Sequence, residues 1–278
     1  MSILDDLGAE LIDETQDWEM DVRWGLPKAY LEGLRAAVYN VAMANMDALF
    51  VYVGREGLGK STLAGRSCHY QAACFAEFLG GSPETYFSTH SIAYDENQYI
   101  DKVVNGERQR VVWYDEAGMG WYSRKSMSGS NVRLNQLLMT CRHRNLVHNV
   151  CIPNYFALDE DVRNRRLVAM CNVYGIPIVE DSGMVRVHKG FFDFYTDDDL
   201  HKIWKNEHTR EVHFPQTDFQ ALRFESYDHA DPFWTEYSEK ADSNKLGIGQ
   251  ELLKRQHEDV AKVIKKRGKA AKKAEADE

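Results

Sequence analysis

The 278-residue sequence has no CxxC pair. Its five cysteines, Cys68, Cys74, Cys141, Cys151 and Cys171, are odd in number and scattered. That pattern speaks against a disulfide framework or a zinc ribbon and for a reducing compartment. No uninterrupted apolar run is long enough to span a bilayer, so no membrane insertion is expected. Positive charge is also lacking: Lys+Arg 34 against Asp+Glu 43 leaves a formal charge of -9. Any nucleic-acid contact must therefore come from local basic patches rather than from a bulk field. The N-terminus carries Asp5, Asp6, Glu10, Asp13 and Glu14 where a secretory leader would be basic. His143, His148, His201 and His208 show no metal-ligand spacing, and no internal repeat is present. These absences predict a soluble, cytoplasmic protein.

What is present suits one α/β core with appendages, since 44% of residues are hydrophobic and Trp and Tyr are plentiful. Ala48–Val53 is a continuous apolar run ended by Gly54, as expected of a strand buried on both faces. A helix is expected from Lys60 to Leu79, stopped by Gly80-Gly81, and a second over Ser91–Val104. Val111–Tyr114 reads as another buried strand. Gly118–Asn131 has no apolar period and reads as a mobile loop. Leu134, Leu137, Leu138 and Cys141 then follow helical spacing and predict a helix over 131–144.

Val147–Cys151 reads as a strand closed by Pro153 and Asn154. Leu167–Tyr174 and Val185–Tyr195 read as later strands joined by a Gly-Pro turn region. Asp197–Asp199 are expected to cap a helix containing Leu200, Ile203 and Trp204. Alternating strands and helices predict a doubly wound, mostly parallel sheet flanked by helices. The expected organisation is a helical segment over 1–44, broken near Gly25-Leu26-Pro27 and continuing to about residue 47, a core domain over 45–225, and a polar tail over 226–278. Within the tail, Lys254–Lys273 holds nine basic and two acidic residues.

Gly54-Arg55-Glu56-Gly57-Leu58-Gly59-Lys60-Ser61 matches GxxxxGK[ST] in full. The glycines let backbone N–H groups turn inward around phosphates, and the amides of the following helix, Thr62 included, add positive potential. Lys60 would reach the terminal phosphates, and the Ser61 hydroxyl would ligate Mg²⁺. The expected cofactors are therefore ATP and Mg²⁺. Asp115 and Glu116 end the Val111–Tyr114 strand. In this context Asp115 would hold the metal and Glu116 would orient and deprotonate an attacking water; without the glycine loop they would read as a solvated strand end.

Asn154 is the best-placed candidate to sense a terminal phosphate, although asparagine after proline is equally an ordinary turn. Arg142, Arg144, Arg163, Arg165 and Arg166 are candidate fingers delivered to a neighbouring subunit's nucleotide, or surface partners of Asp159, Glu160 and Asp161. Arg124 and Lys125 could touch a polymer from the Gly/Ser-rich loop. The basic tail could hold phosphates or form an amphipathic helix with Val260, Val263 and Ile264 facing a partner.

On Gly54–Ser61, Val111–Gly118 and above all Leu137–Arg166, the chain resembles the FtsK–HerA group of P-loop ATPases, especially its zonular occludens toxin-like and viral genome-packaging members. The resemblance covers residues 45–195. It implies a RecA-like core, a homo-oligomer in the form of a hexameric ring, and movement of double-stranded DNA driven by ATP, with a capsid or portal protein as a further partner. It gives Lys60, Ser61, Asp115 and Glu116 their roles position by position; Asn154 stands where many relatives have glutamine or another polar sensor. Toxin-like members carry a membrane span and none is seen here, which favours the packaging branch, in host cytoplasm if the chain is viral. The alternatives are a terminase-type packaging ATPase, a P-loop kinase acting on a small molecule, and a non-catalytic assembly protein. The first would need a nuclease domain in the few residues after Tyr195. A kinase would need neither Glu116 nor a partner's arginine.

Overall fold

The computed structural model describes residues 18–115, 117, 129–179, 183–206, 208–209, 211–247 and 250. The chain forms two compact units, Met1–Tyr227 and Asp228–Glu278.

The first unit is built on a seven-stranded sheet. In chain order its strands are β1 (Ala48–Val53), β2 (Ile92–Ala93), β3 (Val111–Tyr114), β4 (Val147–Ile152), β5 (Leu167–Val179), β6 (Val185–Thr196) and β7 (Leu222–Arg223). Their spatial order is β7-β6-β5-β1-β4-β3-β2. The five strands from β5 to β2 run parallel, and β6 and β7 add antiparallel at one edge. This mostly parallel sheet flanked by helices is the α/β architecture that the alternation of strands and helices predicts.

Both faces of the sheet are covered, which is why β1, β3 and β4 are buried at every position and show no polar alternation. Alternate residues still part to opposite sides. Leu49, Val51 and Val53 join Tyr99 and Val103 of α3 (Glu96–Asn105), Leu134 and Leu138 of α4 (Gly129–Thr140) and Val162 of α5 (Glu160–Arg165) in one core. The opposite face carries α1 (Lys28–Met43) and α2 (Lys60–Leu79), which pack on each other. There a buried polar network replaces oil. The Tyr52 hydroxyl donates to Asn149 Oδ1 at 2.8 Å, and Asn149 Nδ2 donates to Gln71 Oε1 at 2.7 Å. Tyr30 and Ser67 join their hydroxyls at 2.8 Å.

Several boundaries depart from expectation. Ser91–Val104 is not one helix: Ile92 and Ala93 pair with Trp113 and Tyr114 as the sheet's edge strand. The helix starts only after Asp95, whose carboxylate accepts from Gln98 N at 2.9 Å. Gly175 and Pro177 do not turn the chain but lie within β5. The β1 pairing ends at Asn172, so β5 is an edge on that side where Pro177 lies, while Gly175 sits at a register shift. A Cβ there would lie 2.4 Å from Val187 Cγ1.

The helix expected over 131–144 ends at Thr140 and tightens into a 3-10 turn, Cys141–Arg144. The helix after Asp197 stops at Leu200, and Trp204–Lys205 pairs with Val212–His213. Before α1, Met20–Asp21 pairs with Leu26–Pro27 rather than continuing a helix. In the second unit, residues 232–247 are helical, with Trp234 and Tyr237 buried. Residues 1–17 of the expected N-terminal helix, residues 118–128 of the loop expected over Gly118–Asn131, with Arg124 and Lys125, and the Lys254–Lys273 tail lie outside the described residues; the last three residues expected in that loop, 129–131, instead open α4. Among those described, no helix is long and apolar enough to cross a membrane.

Removing Asn149 leaves Gln71 and Tyr52 without their shared partner in a dry layer. Asn149→Ala is expected to cost about 2–4 kcal/mol, read as a lower urea midpoint at unchanged slope. An unaltered midpoint would show that the network adds nothing to stability.

Candidate nucleotide-binding site

The parallel register decides which side chains meet. Val53 is level with Ile152, and Tyr114 with Val150. Gly54, Asp115 and Asn154 therefore all emerge at the carboxyl edge of the sheet, where ligands of open parallel sheets bind. β4 lies between the strand that feeds the glycine loop and the strand that ends in Asp115.

Gly54 leaves β1 at φ 142°, and a Cβ there would sit 2.1 Å from the Val173 carbonyl oxygen of β5. Only glycine permits that approach. Gly57 and Gly59 also have positive φ, 76° and 101°. Gly59 abuts the Phe224 ring, 2.9 Å from where a Cβ would be. Arg55, Glu56 and Gly57 are exposed and Leu58 is half-buried, its Cδ2 3.3 Å from the Cβ position of Gly175.

Helix α2 begins at Lys60 with no side-chain cap on its first amides. These N–H groups, half-buried Thr62's among them, and the helix dipole form an anion-seeking end. Lys60 Nζ reaches back across the loop and donates to the carbonyls of Gly54 at 2.8 Å and Arg55 at 2.9 Å. The ammonium thus sits in the loop's mouth.

The Ser61 hydroxyl donates to Asp115 Oδ1 at 2.9 Å. Asp115 is only 2% exposed, with its backbone N–H bonded to the Ala93 carbonyl at 2.9 Å. An oxygen-only pair of hydroxyl and carboxylate fits a hard cation such as Mg²⁺. Two buried thiols lie in Asp115's field. Burial foremost, with the Asp115 charge adding, pushes Cys151 and Cys68 well above the usual thiol range and keeps both neutral. Glu116 lies outside the described residues; Ala117 after it is fully buried.

Asn154 is exposed, and its Oδ1 accepts from Phe156 N at 2.8 Å, capping the 3-10 turn Tyr155–Ala157. Arg142 and Arg144 fall at the opposite, amino edge of the sheet. They precede β4, whose first residue is level with Ala48, the first of β1. That edge is roughly 20 Å of strand from the glycine loop of the same chain. Arg142 is exposed and Arg144 half-buried. Arg166 is taken by a buried ion pair with Asp47, Arg165 pairs with Asp161 at 3.5 Å, and Arg163 lies over the Phe156 ring at 4.6 Å. Val173 and Phe224, which shape the loop, carried no sequence signal because they act through backbone and ring contacts from distant strands.

No family model and no curated protein matches the chain. Solved structures do resemble it. The genome packaging NTPase B204 from Sulfolobus turreted icosahedral virus 2, in complex with AMP, is 14% identical at a TM-score of 0.34, covering 61% of this chain and 97% of that one. The N-terminal domain of zonular occludens toxin from Neisseria meningitidis is 16% identical at 0.32, covering 62% and 95%. The FIGL-1 AAA domain is 15% identical at 0.35, covering 60% of each.

The Gly54 contact makes a specific demand. Gly54→Ala places a methyl against the Val173 carbonyl at a φ of 142°, a backbone region costing an L-residue about 1–3 kcal/mol. We expect nucleotide affinity, read with a fluorescent ATP analogue, to fall at least about tenfold, 1.4 kcal/mol, while far-ultraviolet circular dichroism is retained. Unchanged affinity would mean that the nucleotide is held by some other shape of the loop.

Proposed function

We propose that this chain is an ATP-hydrolysing motor that translocates double-stranded DNA. The observation that carries the ATPase reading is the 2.9 Å bond between Ser61 and Asp115 beside the Lys60 ammonium. It joins the phosphate end of the loop to the acid of a strand two positions away. The DNA-motor part rests on the resemblance carried by Leu137–Arg166 and on the position of the arginines.

In this reading the α2 amides and Lys60 hold the β- and γ-phosphates. Ser61 and Asp115 are the residues that would hold Mg²⁺, which supplies charge neutralisation on the phosphate oxygens when bound. Glu116, next along the chain, takes the proton of the attacking water. Asn154 sits beyond β4 on the same edge and offers its amide to the terminal phosphate. Arg142, and with it Arg144, is too far to serve its own loop, so it acts on a neighbouring copy's nucleotide, and the active form is a ring. A hexamer working on double-stranded DNA, with a capsid or portal protein as its dock, is the assembly this implies.

ATP turnover stimulated by double-stranded DNA, without a phosphate acceptor, is the expected behaviour; turnover that requires a small-molecule acceptor selects a kinase instead. Glu116→Gln should keep ATP binding and lower turnover by about 10²–10⁴, and Lys60→Ala should lose most phosphate affinity. Normal turnover by Glu116→Gln would remove the glutamate from the chemistry. Mixing an Arg142→Ala, Arg144→Ala chain with a Lys60→Ala chain tests the shared site: activity regained in the mixture supports it, and none regained counts against it.

A further inference from the structure

Three metal-ligating side chains gather at the amino edge of the sheet, opposite the glycine loop. Asp47 precedes β1, His148 is the second residue of β4, and Cys141 opens the 3-10 turn leading to β4. Their ligand atoms lie within 4.8 Å of one another. Cys141 Sγ is 3.9 Å from His148 Nε2 and 4.0 Å from Asp47 Oδ2. Tetrahedral zinc, with Zn–S near 2.3 Å and Zn–N near 2.0–2.1 Å, separates sulfur from nitrogen by about 3.6 Å. The sulfur–nitrogen edge therefore needs to contract by only a few tenths of an ångström, and closing the third edge draws the Asp47 carboxylate inward from within 4.8 Å.

The surroundings fit as well. His148 Nδ1 meets the Tyr99 hydroxyl at 2.8 Å, the outer hydrogen bond that orients metal-binding imidazoles. With Nδ1–H donating to that oxygen, Nε2 turns its lone pair toward Cys141. Arg166 donates to Asp47 Oδ2, the oxygen that also faces Cys141, so this oxygen would be shared between the guanidinium and a metal, its orientation fixed by the ion pair. Thiolate, imidazole and carboxylate together suit zinc better than the hard cations of phosphate sites.

We propose that Asp47, Cys141 and His148 form a zinc site that staples the start of β1 to the start of β4. Binding exchanges the Cys141 S–H bond for an S–Zn bond and releases one proton to solvent. Zinc competes with that proton for the sulfur, so binding weakens as pH falls. Three protein donors leave one tetrahedral position for water. The site is independent of nucleotide: its donors differ from Ser61 and Asp115 and lie at the other edge of the sheet.

The test uses the full chain, stripped with a chelator and titrated with Co²⁺ in saturating Mg²⁺. We expect one Co²⁺ per chain, a near-ultraviolet thiolate-to-cobalt charge-transfer band and visible tetrahedral bands, all bleached by one equivalent of Zn²⁺. Cys141→Ser should abolish the near-ultraviolet band. His148→Gln should weaken Co²⁺ binding at least about tenfold, and it answers the question on its own should the serine variant not fold. No thiolate band in the wild-type chain overturns the proposal, as does a band that survives Cys141→Ser or binding unchanged in His148→Gln.

Discussion

The hydrogen bond from the Ser61 hydroxyl to the Asp115 carboxylate is the link on which the candidate site depends. Its two ends come from strands that do not touch, because β4 lies between them. It forms only if β1, β4 and β3 hold their register to a single residue. That register is held by burial on both faces: a slip by one would carry Val51 and Val53 to the side of the polar network and bring Tyr52 into the apolar core.

The sheet separates its chemistry by edge. The carboxyl edge gathers the glycine loop, Asp115 and Asn154, and the amides and dipole of α2 favour negative charge there. The amino edge gathers cations and ligand-type side chains: Arg142 and Arg144 before β4, Arg166 before β5, Asp47 before β1, and His148 with Cys141. Arg166 shows how such a residue is used up. Its ion pair with Asp47 is mostly buried, and withdrawing it to serve a neighbour would leave an uncompensated buried carboxylate, a loss of several kcal/mol. Arg142, exposed and at the chain's surface, carries no such cost.

Much of this was legible in the residues. The α2 limits, Lys60 and Leu79, follow from glycine on both sides, and β1, β3 and β4 follow from apolar runs of strand length. Boundaries failed where tertiary pairing overrode local pattern. Ile92 and Ala93 look helical beside the residues that follow, yet they close the sheet edge against Trp113 and Tyr114. Pro177 reads as a turn, yet it lies in a strand, at a stretch where β5 no longer has β1 beside it. The cluster of Asp47, Cys141 and His148 has no metal-like spacing along the chain; three strand and turn beginnings meet in space to form it.

The sequence by itself determined that a loop of inward-turning amides with one ammonium follows a buried strand, and that two acids end another, because glycine, lysine and apolar run length act locally. Only the tertiary structure decided which acid reaches Ser61, that Gly54 must admit the Val173 carbonyl, and that Arg142 stands at the edge away from its own loop. Those outcomes depend on strand order and register, which are set by packing between segments far apart in the chain.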